Sequence, residues 1–297
     1  MLEKKFLNKE KGLVLYALTP PKAEFEETKL REISNRWTDR INDINADGLV
    51  IYEVQDESER NESERTFEFS GTLSPEIYYS KYLQTATPAI FYRVAGAYDE
   101  SSLRASFKQQ SADLNVLVGA TNSAQKVNLS LKRAFEISSE FDNLAVGAVC
   151  IAERHAKKGD EPQRMLEKIS LGAKFFISQA IFDVELTRKF LASCATAKID
   201  VPIFLTFSTA GNPKTLEFIK WLGVSVPTSI ENRLNKSSDY LNESVQIIKE
   251  IYSELREFGD KNGLNLGLNI ESVMAKRAEI EASLALCKQL KNTRRLI

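Results

Sequence analysis

The side chains best able to move a proton or read an organic ligand stand at the downstream ends of short apolar runs. Glu53 closes LVIYEV (49–54), and Tyr92 and Arg93 close TPAIFYRV (87–94). Thr121 and Asn122 follow LNVLVGAT (114–121), and Glu153 and His155 follow LAVGAVCI (144–151). Gln179 ends AKFFISQ (173–179), Thr206 and Ser208 end VPIFLTF (201–207), and Asn269 and Glu271 end LNLGLNIE (264–271). Carboxyl groups in this set could serve as general acid or base. The amides carry both a donor and an acceptor and could read the edge of a heterocycle. Nucleophilic catalysis is a poor match, because His155 is the only histidine and has no assigned partner. Residues of these types also serve as plain loop caps. Lys157-Lys158 reads as a solvated charge pair, and Tyr78, Tyr79 and Tyr82 as packing residues.

The elements that position these residues alternate between strand and helix. The first apolar run is LVLYAL (13–18), stopped by Thr19-Pro20-Pro21, and a charged helix over roughly 23–45 follows it. Further helices are expected near 75–84, 99–111, 126–140, 163–171, 184–197, 213–222, 228 onward, 239–258 and 272–290. Asn212-Pro213 supplies a helix cap and first residue, and Thr228-Ser-Ile-Glu231 has the form of a capping box. Residues 152–162 read as a polar loop, and 55–75 as a long charged one, either a solvated loop or an active-site lid. Eight strands, each followed by helix, predict a single (β/α)8 TIM barrel over 1–297. Extra helices precede strand eight, and 1–12 form an N-terminal extension. An open doubly wound sheet is the competitor, weakened by the lack of a G-x-G-x-x-G after any strand. In either arrangement, ligands sit at the carboxyl ends of the strands.

Composition narrows the function classes. Lys plus Arg is 40 and Asp plus Glu is 41, a net charge of −1, so neither nucleic acid nor an anionic membrane is an electrostatic match. The three cysteines, Cys150, Cys194 and Cys287, lack metal-site spacing and read as buried thiols in a reducing compartment. No metal site is expected. No window approaches a membrane span, and the start lacks a signal-peptide pattern, so a soluble cytoplasmic protein is expected. Association of copies through the outer helices is compatible with the fold.

Three stretches resemble a known family in matching order and spacing: Ala152-Glu153-Arg154-His155, then Lys168 to Gly172-Ala173, then Ile177-Ser178-Gln179 to Phe182-Asp183. They resemble the P-E-x-H-P, K-x-x-x-G-A and I-T-Q-x-x-F-D segments of methylenetetrahydrofolate reductases. Leu18-Thr19-Pro20-Pro21 looks like the family's F-F-P-P, and Leu268-Asn269 like its T-L-N. The resemblance implies a barrel that takes hydride from NAD(P)H, in most members through FAD, and reduces 5,10-methylenetetrahydrofolate to 5-methyltetrahydrofolate. It implies that Gln179 reads the pterin edge, with Asn269 as a second substrate contact. His155 would touch the flavin and Lys168 its phosphates, with Thr121, Glu153 and Tyr92 completing the cofactor set.

The chain departs from the family at key points. The family's catalytic glutamate on strand one aligns with Ala17, and its aspartate after strand four aligns near Thr121. Alanine transfers no proton. Strands two and eight flank strand one in a barrel, so Glu53 and Glu271 are the candidate replacement acids. Divergent family members pass hydride directly from nicotinamide to folate, and the lost flavin positions fit that branch. A non-catalytic folate- or flavin-binding protein, or a non-redox methyl-transfer barrel, is the alternative.

Overall fold

The computed structural model describes residues 2–54, 66–67, 69–109, 114–119 and 127–294. Eight parallel strands close in sequence order: β1 Val14–Leu18, β2 Gly48–Tyr52, β3 Ala89–Val94, β4 Leu114–Val118, β5 Ala145–Cys150, β6 Phe176–Ala180, β7 Ile203–Ser208 and β8 Leu266–Glu271. Closure pairs β1 with β8 and leaves no strand edge open. The chain is therefore a (β/α)8 barrel, as the strand-helix alternation predicts.

Strand residues alternate between the barrel interior and the helical shell. Leu13, Leu15, Ala17, Val50, Ile90, Leu114, Val116, Ala145, Phe175, Ile177 and Phe204 form the inner cluster, with Tyr52, Tyr92, Val118 and Val149 packed against it towards the mouth. The alternate positions, such as Tyr16, Ile51, Phe91, Leu117 and Phe207, join the larger cluster beneath the helices. Both faces being buried explains why the strands read as continuous apolar runs.

The N-terminal extension is a plug. Helix α1 (Leu2–Leu7) closes the amino end of the barrel with Leu2 and Phe6, both almost wholly buried. The Phe6 ring meets Phe175 at 4.6 Å and Phe204 at 5.2 Å between centroids. Space for these rings comes from glycines on the inner face. A Cβ on Gly147 would lie 2.6 Å from Phe175, and one on Gly267 2.5 Å from Phe204.

The shell contains α2 (Glu27–Ile44), α4 (Glu100–Gln109), α5 (Leu131–Ser138), α7 (Glu161–Ser170), α8 (Val184–Thr196), α11 (Tyr240–Lys261) and α12 (Arg277–Arg294). A single turn, α3 (Pro75–Ile77), runs into a π-helical turn, Tyr78–Tyr82. Shorter helices stand at the ends of β5 and β7: α6 (Ala152–Lys158), α9 (Pro213–Trp221) and α10 (Thr228–Lys236). The last two are the extra helices expected before strand eight. Asn212 caps α9 as expected, its Oδ1 accepting from the Thr215 N–H at 3.2 Å.

Three local expectations fail for identifiable reasons. Residues 152–158 are helix α6 rather than loop, ended by Gly159 at φ 71°. Pro227, not Thr228, is the N-cap of α10, so no capping box forms. The helix expected over 239–258 runs on past Gly259: α11 ends at Lys261, and a Cβ at Gly259 would lie 2.3 Å from Leu266 of β8. That glycine serves close helix-strand packing, and the turn comes at Gly263, φ 71°.

Candidate functional site

The register of β8 against its neighbours builds the mouth. Ala17 of β1 is the ladder partner of Glu271, and so is Ser208 of β7. In a parallel pair, partners point their side chains to the same face. Ala17 belongs to the inner cluster, so Glu271 stands on the inner face directly beside it. Tyr52, the inner residue at the end of β2, donates its hydroxyl to Glu271 Oε2 at 2.5 Å. Its ring meets Tyr92 edge-on at 4.9 Å, which fixes the phenol. One inner position below Glu271, Asn269 is wholly buried and donates from Nδ2 to Thr206 Oγ1 at 3.1 Å. Its Oδ1 is buried with no partner among the described residues.

Burial raises the Glu271 carboxyl to about 7, outweighing the Tyr52 hydrogen bond that favours its charge. Tyr52 is held well above its usual range, first by burial and then by the adjacent carboxylate, so it remains a donor. A raised carboxyl contributes stability that is fully present below its unfolded value of 4.5 and is lost as pH rises through about 7. Glu271→Gln removes that loss. Relative to wild type, the variant should therefore gain stability between pH 5 and pH 8, by at most about 3 kcal/mol. Denaturant melts of both proteins at the two pH values check this; a pH-independent difference would contradict it.

Glu53 lies in the other strand phase. Val50 and Tyr52 face inward, so Glu53 faces the shell. There its Oε2 accepts the Val94 N–H at 2.7 Å and its Oε1 the Tyr98 hydroxyl at 2.6 Å. Its neighbour Arg93, 1% exposed, pairs with Glu76 and donates to Asn115 Oδ1 at 2.7 Å. Glu53 is thus separated from Glu271 by the strand itself. Burial raises its pKa, but its two donors hold it as a strut at the end of β3.

Gln179 follows the inner residues Phe175 and Ile177 of β6, across an irregularity in the ladder between Ile177 and Ala180. Its Nε2 donates to the Leu222 carbonyl at 2.7 Å, which places the amide under the turn after α9. Gly223, at φ 87°, makes that turn. Glu153 joins the same corner: its Oε1 accepts the Ser225 N–H at 3.0 Å, and burial raises its pKa. Ser225 donates to Asp183, the N-cap of α8, at 2.9 Å. Gln179 and Glu153 are thus brought together on one side of the mouth, and Glu271, Asn269 and Tyr92 on the other.

His155 and Lys168 are not at the mouth. His155 Nε2 lies 3.0 Å from Ser193 Oγ, and its ring packs against Phe190, both on α8. Lys168 is buried behind β5, donating to the Val149 carbonyl at 2.7 Å, and burial lowers its pKa. Glu161, wholly buried, fastens α6 by accepting from Ile151 N at 3.1 Å and Arg154 at 3.0 Å. These three form a strut between α6, α7 and α8. Thr121 lies outside the described residues, as does 55–65 of the long charged loop. The end of that loop is tied to the turn after β1, through a Lys22–Thr72 bridge and the bond from Leu73 N to Pro21 O at 3.0 Å. Phe67 meets Phe218 of α9 edge-on at 5.3 Å.

Sequence reading missed Tyr52 as a site residue, although the alternation of Gly48, Val50 and Tyr52 marks its face. An open groove of about 500 Å³ between α2 and α12 lies on the barrel flank. Its Arg40 and Arg36 are already paired with Glu281 and Glu32. Among the described residues no cluster suited to a metal ion occurs, and no helix is long and apolar enough to cross a membrane.

Comparison with known proteins agrees with the strand-end motifs. Residues 137–266 match the model of the methylenetetrahydrofolate reductase family. A solved structure with TM-score 0.87 and 39% identity covers 99% of this chain and 100% of its own. It is an uncharacterized protein from Clostridium thermocellum that binds two copies of 5-methyl-5,6,7,8-tetrahydrofolic acid. An oxaloacetate acetylhydrolase at 10% identity and TM-score 0.50, covering 98% of this chain and 85% of its own, shares the fold alone. A search of curated proteins gave no match. The matched segment carries the β5–β6 motifs and the relative spans the whole barrel, and on these grounds the chain belongs to the methylenetetrahydrofolate reductase family.

Proposed function

We propose that this chain binds a reduced folate at its barrel mouth and reduces 5,10-methylenetetrahydrofolate to 5-methyltetrahydrofolate. The hydride comes from reduced nicotinamide. The observation that carries this reading is the place of Glu271: a carboxyl titrating at about 7, on the inner face, in ladder register with Ala17. A proton donor is needed where the family glutamate is missing, and an acid is most effective when its pKa lies near the working pH.

In this reading Glu271 protonates N10 of the bridged folate. The C–N10 bond breaks, leaving a methylene iminium on N5. Hydride from the dihydronicotinamide adds to that carbon and gives the N5-methyl group, with oxidised nicotinamide released. Tyr52 holds the carboxyl in place through its 2.5 Å hydrogen bond. Gln179 offers its Oε1 to the pterin edge while Leu222 fixes its Nε2. Asn269 Oδ1, a buried acceptor lacking a partner, suits a ligand N–H.

Two of the residues that resemblance gives to FAD are engaged away from the mouth. His155 Nε2 lies against Ser193 Oγ, and Lys168 donates to the Val149 carbonyl. No step is therefore routed through flavin, and direct transfer from nicotinamide is the reading we adopt. Folate binding in the Clostridium thermocellum relative supports the ligand class.

The test is anaerobic incubation of the purified protein with 5,10-methylenetetrahydrofolate and NADH or NADPH. Loss of absorbance at the nicotinamide band, matched by 5-methyltetrahydrofolate on chromatography, is the expected result. The second reading, a folate-binding protein without turnover, is favoured by Ala17 itself. Calorimetric binding of 5-methyltetrahydrofolate with no nicotinamide oxidation would select it. Under either reading Gln179→Ala should weaken that binding about tenfold, the worth of one well-placed hydrogen bond. Unchanged affinity would remove Gln179 from the site.

A further inference from the structure

A second polar corner lies where the loop after β7 meets the first turn of α12. Barrels of this class often place a phosphate between the loops after strands seven and eight and the N-terminus of a short extra helix. All three parts are here: Thr209 to Asn212, the nine-residue helix α9, and residues Lys276 to Glu279 after β8. A helix N-terminus offers unpaired N–H groups and the positive end of the peptide dipole to an anion.

The anion in this corner belongs to the chain. Glu279 is 2% exposed. Its Oε1 accepts from Thr215 Oγ1 at 3.0 Å and from Asn212 Nδ2 at 3.3 Å, and the Gly211 N–H donates to the same carboxylate. Lys276 Nζ lies 4.0 Å away. A Cβ on Gly211 would fall 2.6 Å from the carboxylate, so glycine lets the backbone close on it. The loop is braced from behind by Ser244 Oγ, which accepts the Ala210 N–H at 2.9 Å. Glu279 Oε2 is buried with no partner among the described residues. A carboxylate with one oxygen cradled and the other unsatisfied is an incomplete substitute for a tetrahedral oxyanion.

We propose that Glu279 is a built-in anion filling the phosphate corner of the barrel, so that this corner rejects phosphate-bearing ligands and becomes an inorganic phosphate site when that side chain is shortened to empty the corner. Ligand selection at the mouth then runs against nucleotide-type anchoring at β7–β8. The assignment is independent of the folate reading, because its probe is phosphate alone.

The test is thermal unfolding of the full chain in sodium phosphate and in sodium chloride at matched ionic strength and pH. Wild type and Glu279→Gln, which keeps the shape, should melt alike in both salts. Glu279→Ser should melt lower in chloride and recover in phosphate, saturably with concentration. A folded Glu279→Ser chain no more responsive to phosphate than wild type overturns the proposal, as does saturable stabilisation of wild type by phosphate. Should the serine variant fail to fold in chloride, refolding yield in phosphate reads the same site: recovery supports the assignment, and refolding in neither salt overturns it.

Discussion

Glu271→Gln should lower turnover of 5,10-methylenetetrahydrofolate by about 10²–10⁴-fold while leaving the affinity for 5-methyltetrahydrofolate within a few-fold of wild type. The product already carries its proton, so binding it needs no acid. Glutamine keeps the size and can still accept from Tyr52, so the 2.5 Å contact is retained in kind and the inner wall keeps its shape. The loss therefore falls on the chemical step rather than on ground-state binding. The pH profile sharpens the test: wild-type turnover should fall as pH rises through about 7, when the carboxyl loses its proton. Glu53→Gln is the matched control. Its carboxylate braces Val94 and Tyr98 on the shell side, so this variant should lose some stability and little turnover. A Glu53 variant as inactive as the Glu271 one would reverse the assignment.

The second large effect is at the opposite end of the barrel. Phe6→Ala should destabilise the protein by about 3–5 kcal/mol, the usual cost of emptying a buried phenylalanine site. Phe6 is 2% exposed and fills the space between Phe175 and Phe204. Those rings are held by strands and cannot collapse into the gap without moving β6 and β7. The mouth is built by the other ends of the same strands, so folate affinity measured on folded protein should stay near wild type. Urea melts read the first quantity and calorimetry the second. A stability change under about 1 kcal/mol would mean that α1 lies loosely against the barrel.

The barrel could be read from the sequence because eight apolar runs recur with helical patterns between them, and a closed parallel sheet buries both faces of each run. That same double burial hid the phase. In LVIYEV both Tyr52 and Glu53 follow apolar neighbours, and alternation says nothing when inside and outside are equally apolar. A one-residue difference then decides whether a carboxyl meets ligand or shell. Glu271 lies in the inner phase, whereas His155 does not. Its segment was legible as helix, since 152–158 lacks glycine and proline and ends on Gly159, but its polarity suggests loop. The plug was equally readable in retrospect: Leu2 and Phe6 stand four residues apart, on one face of a short charged helix. Glu279 carried no signal in its spacing, because only the fold brings it to Gly211 and Thr215.

One measurement reaches the centre of the account: a crystal structure of this protein with 5-methyltetrahydrofolate. The pterin edge should lie within hydrogen-bond distance of Gln179, with the N5-methyl carbon and N10 facing Glu271 across the inner face. A pterin bound outside the ring of β1–β8, or one in the mouth with N10 turned away from Glu271, would contradict it.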